Sequence, residues 1–121
     1  MAISRILVVD DSPTERFFLS ELLVKNGYLV SMAESGEEAV AQAKQKLPDL
    51  IVMDVVMPGI NGYQATRMIT KEEATRHIPV IMCTTKGQET DKVWGMRQGA
   101  KAYLVKPVKP EDLLSQIKAL G

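Results

Sequence analysis

Three apolar runs, Ile6-Leu7-Val8-Val9, Leu50-Ile51-Val52-Met53 and Val80-Ile81-Met82-Cys83, constrain the fold most. Each is short, unbroken and rich in β-branched residues, without polar alternation, so each reads as a strand buried on both faces. Such a sheet needs helices on both sides. Two further strands, Leu29 to Met32 and Ala102 to Val105, and five intervening helical patterns complete five β-then-α units. This alternation predicts an α/β fold, a doubly wound parallel five-stranded sheet. A chain of 121 residues with 45% hydrophobic content suits a single domain, residues 1–121, and leaves no room for a second.

The helix ends carry their own signals. Ser12-Pro13-Thr14-Glu15 offers an N-cap serine, a proline at the first helical position and a glutamate at capping-box spacing. Phe18, Leu22 and Leu23 then recur at helical spacing up to Asn26-Gly27, predicting that these three face the core. Ser35-Gly36-Glu37-Glu38 repeats the capping pattern ahead of Val40, Ala43 and Leu47, and Pro48 stops that helix. A third helix is predicted from Asn61-Gly62, a fourth from Glu89 to Gln98 before Gly99, and a fifth after Pro110.

Charge excludes some functions. Lys+Arg and Asp+Glu number 15 each, so bulk charge draws the chain neither to nucleic acid nor to a membrane. The balance hides an asymmetry: residues 1–60 hold nine acids against five bases, and residues 61–121 hold six against ten. One cysteine forms no internal disulfide, and no apolar run approaches the ~18 residues of a membrane span. Met1-Ala2-Ile3-Ser4-Arg5 lacks the pattern of a secretory signal, so a cytoplasmic location is expected.

In an open parallel sheet, ligands bind beyond the carboxyl ends of the strands, where strand order reverses. Asp10 and Asp11 close the first strand and Asp54 closes the third. If those strands are neighbours, three carboxylates meet and repel by roughly 4 kcal/mol per pair at 4 Å and an effective dielectric near 20. A divalent cation removes that cost, and all-oxygen ligation with an incomplete protein cage favours Mg2+. Thr84 adds a hydroxyl at the end of the fourth strand and Lys106 an ammonium at the end of the fifth. This set suits a phosphoryl group, whose transfer depends on positioning and charge neutralisation, and a carboxylate can itself be the nucleophile.

With those residues in place, the chain resembles the receiver domain of two-component response regulators. Asp10-Asp11 after Ile-Leu-Val-Val, Asp54 in Met-Asp-Val-Val-Met-Pro-Gly, Thr84 after Val-Ile-Met-Cys, and Lys106-Pro107 after Tyr103-Leu-Val carry the resemblance across nearly the whole chain. It looks like a stand-alone, CheY-like receiver without an output domain. Asp-Asp-Ser-Pro-Thr-Glu, Pro-Gly-Ile-Asn-Gly-Tyr-Gln-Ala-Thr-Arg and Thr-Thr-Lys-Gly-Gln-Glu-Thr-Asp-Lys-Val-Trp-Gly look most like the PilH-type regulators of twitching motility.

The resemblance implies a flavodoxin-like sheet of order 2-1-3-4-5 and a phosphorelay function within a chemotaxis-like pathway. Asp54 would accept a phosphoryl group from a CheA-like histidine kinase. Asp11, Asp54 and the Val56 carbonyl would ligate Mg2+, with Asp10 acting mainly through water. Thr84 and Lys106 would grip phosphoryl oxygens, and Lys106-Pro107 would be cis. Tyr103 would be an aromatic switch, coupled to Thr84, that resets the face of the fourth helix, fifth strand and fifth helix for a downstream partner, such as motor or pilus machinery. The chain would be a monomer and a signalling phosphoacceptor rather than an enzyme. Thr85 stands where the family usually has Ala or Ser, and Val56 and Lys86 border the path of the hydrolytic water, so these three would tune rates.

Other readings compete. A dehalogenase-type phosphatase needs an acid where Val56 stands, and a flavin phosphate would be repelled by Asp10-Asp11-Ser12-Pro13. A phosphate sink for a shared kinase and a non-phosphorylated interaction module remain as alternatives. Cys83 reads as a buried strand residue, His77 as a loop residue, and the methionines as gap fillers. Trp94 lies beside Val93 and Met96, as either a partner anchor or a half-buried cover. Lys86, Lys92, Arg97, Lys101 and Lys109 gather toward the switch face and predict an acidic partner helix.

Overall fold

The computed structural model describes residues 2–121; Met1, the first residue of the stretch tested above for a signal, lies outside them. Five strands, β1 (Arg5–Val9), β2 (Leu29–Ala33), β3 (Leu50–Met53), β4 (Val80–Thr84) and β5 (Ala102–Val105), alternate with α1 (Pro13–Lys25), α2 (Gly36–Lys46), α3 (Gly62–Lys71), α4 (Glu89–Arg97) and α5 (Pro110–Leu120). All strand pairs are parallel and the order is β2-β1-β3-β4-β5, so the predicted doubly wound sheet is the one observed.

The unbroken apolar runs follow from this layering. Ile6 and Val8 of β1 point into one core with Leu19 and Leu23 of α1 and Leu113 and Ile117 of α5. Leu7 and Val9 point the other way, into a core with Ala39 and Ala43 of α2 and Ala65 and Ile69 of α3. A strand sandwiched between two apolar layers has no solvent face and needs no polar alternation. The edge strands β2 and β5 are the exceptions, with Leu29, Met32 and Val105 exposed.

Two details differ from the periodicity reading. Phe18 is 47% exposed and Leu19 takes its core place beside Leu23, because α1 is apolar nearly all round and its spacing alone does not set its phase. Capping also differs. Ser12 and Ser35 accept hydrogen bonds from Glu15 N–H and Glu38 N–H, but the glutamate side chains do not reciprocate. The Ser12 N–H is taken by Asp10 Oδ1 at 3.0 Å, and the Glu38 carboxylate receives Gln42 Nε2 instead. A complete capping box forms at α3, where Asn61 and Gln64 bond reciprocally. Leu47, read as part of the α2 face, is the half-exposed C-cap in the left-handed region at φ 46°.

One close approach sets up the functional end. A Cβ on Gly62 would lie 2.0 Å from the Asp54 carbonyl oxygen and 2.7 Å from Val55 Cα, so only glycine lets α3 start against the end of β3. The Gly62 N–H donates to Val55 O at 2.8 Å, fixing the loop between them.

Candidate functional site

The register carries three acids to one crevice. Val9 pairs with Met53, so the residues that follow, Asp10 and Asp54, emerge side by side, and the Asp54 N–H continues the ladder to Val9 O at 2.9 Å. Carboxylate oxygens of Asp10, Asp11 and Asp54 all lie within 4.8 Å of one another. Asp10 is 2% and Asp54 6% exposed, whereas Asp11 faces solvent. Such a cluster, hard in its donors and open on one side, fits a cation of the Mg2+ class.

Lys106, carried by the parallel β4–β5 pairing, closes the crevice. Its Nζ donates to Asp10 Oδ2 at 2.7 Å and lies 3.6 Å from Asp54 Oδ1. Burial works against the ammonium, but the Asp10 hydrogen bond and the Asp54 charge outweigh it and hold the Lys106 pKa above its ordinary value. Burial, then repulsion from Asp10, pushes Asp54 up to about 6, with Lys106 opposing. Lys106-Pro107 is cis, as the resemblance implied.

Thr84 is fully buried at the end of β4, and its hydroxyl accepts the Lys86 N–H at 3.3 Å. Thr85 and Lys86 are exposed, and the Lys86 ammonium lies 3.7 Å from Asp91. The Val56 side chain is 56% exposed and helps line a shallow cavity of about 250 Å³ with Asn61, Tyr63 and Lys86. Tyr103 is partly buried: its hydroxyl donates to Lys86 O at 2.8 Å and meets the Tyr63 hydroxyl at 3.1 Å. Burial, then the Tyr63 hydrogen bond, pushes this phenol far above its ordinary range. Cys83 is buried, and burial pushes its thiol up to about 12, so it behaves as a small apolar side chain. Trp94 is half exposed on α4.

Two residues at this end escaped the sequence reading. Arg16, one turn into α1, donates Nη1 to the Asp10 carbonyl at 2.7 Å and so braces the acidic turn. Its place in the first turn after Asp10-Asp11 was the available signal. Tyr63, which stands in the sequence only as a letter of the Pro-Gly-Ile-Asn-Gly-Tyr motif, hydrogen-bonds Tyr103 from across the fold. Exposed Phe18 has a place here too, lining a cavity of about 290 Å³ with Leu19, Cys83, Lys106 and Pro107 beside the acids.

The sequence model of the response regulator receiver domain family matches residues 6–118. The chain belongs to that family. It is 58% identical over 117 residues to protein PilH of Pseudomonas aeruginosa, covering 97% of both chains. It is 40% identical to the phosphate regulon transcriptional regulatory protein PhoB of Escherichia coli over 96% of its own length, but spans only 51% of PhoB. Among solved structures, Vibrio cholerae chemotaxis protein CheY4 superposes with a TM-score of 0.91 at 34% identity, covering 99% of this receiver and all of CheY4. A CheX-CheY-BeF3-Mg2+ complex of Borrelia burgdorferi matches at a TM-score of 0.91 and 27% identity, over 97% of this chain and 88% of that one. Receiver domains bind Mg2+ at this acidic pocket, take phosphoryl groups from histidine kinases and bind downstream targets. Among the described residues, no helix is long and apolar enough to cross a membrane.

Proposed function

We propose that this receiver accepts a phosphoryl group on Asp54 from the phosphohistidine of a CheA-like kinase. The Asp54 carboxylate oxygen attacks phosphorus in line as the phosphorus–nitrogen bond breaks, and the kinase imidazole leaves. The observation that carries the reading is the near-buried Asp54 carboxylate among two acids and the Lys106 ammonium at 3.6 Å. Mg2+ held by Asp11, Asp54 and the Val56 carbonyl, with Asp10 through water, would supply the positive charge that the transferred group needs. Lys106 exchanges its Asp10 partner for a phosphoryl oxygen, and the Thr84 hydroxyl donates to another. Arg16 and the Ser12 N–H keep the Asp10 turn in shape during the exchange. The apolar cavity under Phe18 beside Lys106 offers a surface on which the donor's helix can rest.

The output is a change in the face built by α4, β5 and α5, read by a partner in a pathway of twitching motility. The likeness to PilH supports that pathway. Lys92, Arg97, Lys101 and Lys109 give the face a basic character suited to an acidic amphipathic helix. The reading is tested by mixing the receiver with an autophosphorylated CheA-type kinase carrying labelled phosphate. Label should pass to wild type and not to Asp54→Asn; transfer to Asp54→Asn at the wild-type rate overturns the assignment.

A further inference from the structure

We infer that Tyr63 is a positioning residue for α4, forming with Tyr103 a two-phenol latch that pins the β4–α4 loop and first turn of α4 to α3 before any phosphoryl group arrives. The two phenols share three polar contacts. Tyr103 donates to Lys86 O at 2.8 Å, the two hydroxyls lie 3.1 Å apart, and Tyr63 reaches Asp91 O at 3.2 Å. A phenol has one proton. With the Tyr103 proton given to Lys86 O, Tyr63 is the remaining donor, and its one proton serves either the Tyr103 oxygen or Asp91 O at a time.

The latch matters because the other ties at this end of α4 are local: Gln88 N–H donates to Asp91 Oδ2 at 3.1 Å and the Lys86 ammonium lies 3.7 Å from Asp91, and neither reaches α3. The helix has nine residues, too few to persist without tertiary support, and Gly95 is its one buried residue. Val93, Trp94 and Met96 are all about half exposed. Gly95 admits the Tyr103 ring: a Cβ there would stand 2.7 Å from Tyr103 Cδ2 and 2.9 Å from Met82 Sδ. The other end of α4 is anchored separately, by Thr70 Oγ1 donating to Gln98 O at 2.7 Å and Arg67 reaching Gln98 Oε1 at 3.4 Å. Releasing the phenols therefore frees the first turn while the last stays tied. The latch also touches the phosphate side, since Lys86 gives its carbonyl to Tyr103 and its N–H to Thr84 Oγ1. Only this last link, in which a Thr84 shift toward a phosphoryl group reloads the latch, rests on the phosphoacceptor reading.

Amide hydrogen exchange of the full chain, unmodified and in EDTA, tests the latch without phosphorylation. Tyr63→Phe keeps the ring and removes the hydroxyl. Peptides over 86–95 should exchange faster by about threefold to tenfold, the worth of one or two net hydrogen bonds, while peptides from β1 and β3 stay unchanged. Tyr103→Phe should loosen the same segment, and the double variant should be no faster than the faster single, because both break one unit. No acceleration over 86–95, equal acceleration in β1 and β3, or additive singles overturns the latch. Parallel intact-mass measurement with Mg2+ and, in turn, acetyl phosphate and an autophosphorylated CheA-type kinase keeps the two questions apart: a wild type that takes no phosphoryl group from either donor sinks the acceptor reading and leaves the exchange result standing.

Discussion

Burial raises the Asp54 carboxyl to about 6 from an unfolded value near 3.8, with Asp10 adding to the shift. The folded state therefore binds the extra proton between about pH 4 and pH 6, so stability falls as pH rises through that window. The loss is on the order of 3 kcal/mol above it. Asp54→Asn should then stabilise the metal-free protein by about 1–3 kcal/mol at pH 7.5, with the gain shrinking toward zero at pH 4, as read by urea unfolding in EDTA. A pH-independent difference would contradict the assignment of the shift. Val56 tests the other side of the chemistry. Its exposed apolar side chain cannot orient a hydrolytic water, so Val56→Asn should shorten the lifetime of the phosphorylated form several-fold; an equal or longer lifetime refutes this role. Asp10, Asp11, Asp54 and Lys106 were legible in the sequence because each sits at the end of a strand and the register does the rest. Arg16 and Tyr63 were not, because each acts through a backbone carbonyl or a phenol brought close only by tertiary packing.

At the scale of elements, the backbone approach at Gly62 decides where α3 begins and therefore where the Val55–Val56 loop lies. Gly62→Ala must push α3 away from the Asp54 carbonyl and should cost about 1–3 kcal/mol, measured by urea unfolding. It should also weaken Mg2+ binding in calorimetry, since the Val56 carbonyl moves with the loop. Unchanged stability and affinity would mean that the loop is set elsewhere. Strand and helix order could be read from the sequence because unbroken β-branched runs and cap residues are local signals. Helix phase was less legible: α1 has apolar residues on nearly every side, and only the pairing of Leu19 and Leu23 with Ile6 and Val8 reveals its inner face. Capping partners were also hidden, because Asp10, a site residue, competes with Glu15 for the Ser12 N–H.

Across the whole molecule, acids concentrate in residues 1–60 and bases in residues 61–121, so the acids of the crevice come from the first half and the bases of the proposed output face from the second. Reversing Lys92 and Lys101 to Glu should weaken capture of an acidic partner helix and flatten its salt dependence; unchanged affinity, independent of salt, refutes the electrostatic part. The parallel sheet brings the acids together, and the measurement that tests the site they form most directly is intact mass. Wild type incubated with acetyl phosphate and Mg2+ should gain one phosphoryl group, while Asp54→Asn and wild type in EDTA should gain none. A gain that survives in Asp54→Asn, or that ignores EDTA, would contradict a metal-dependent acceptor at Asp54.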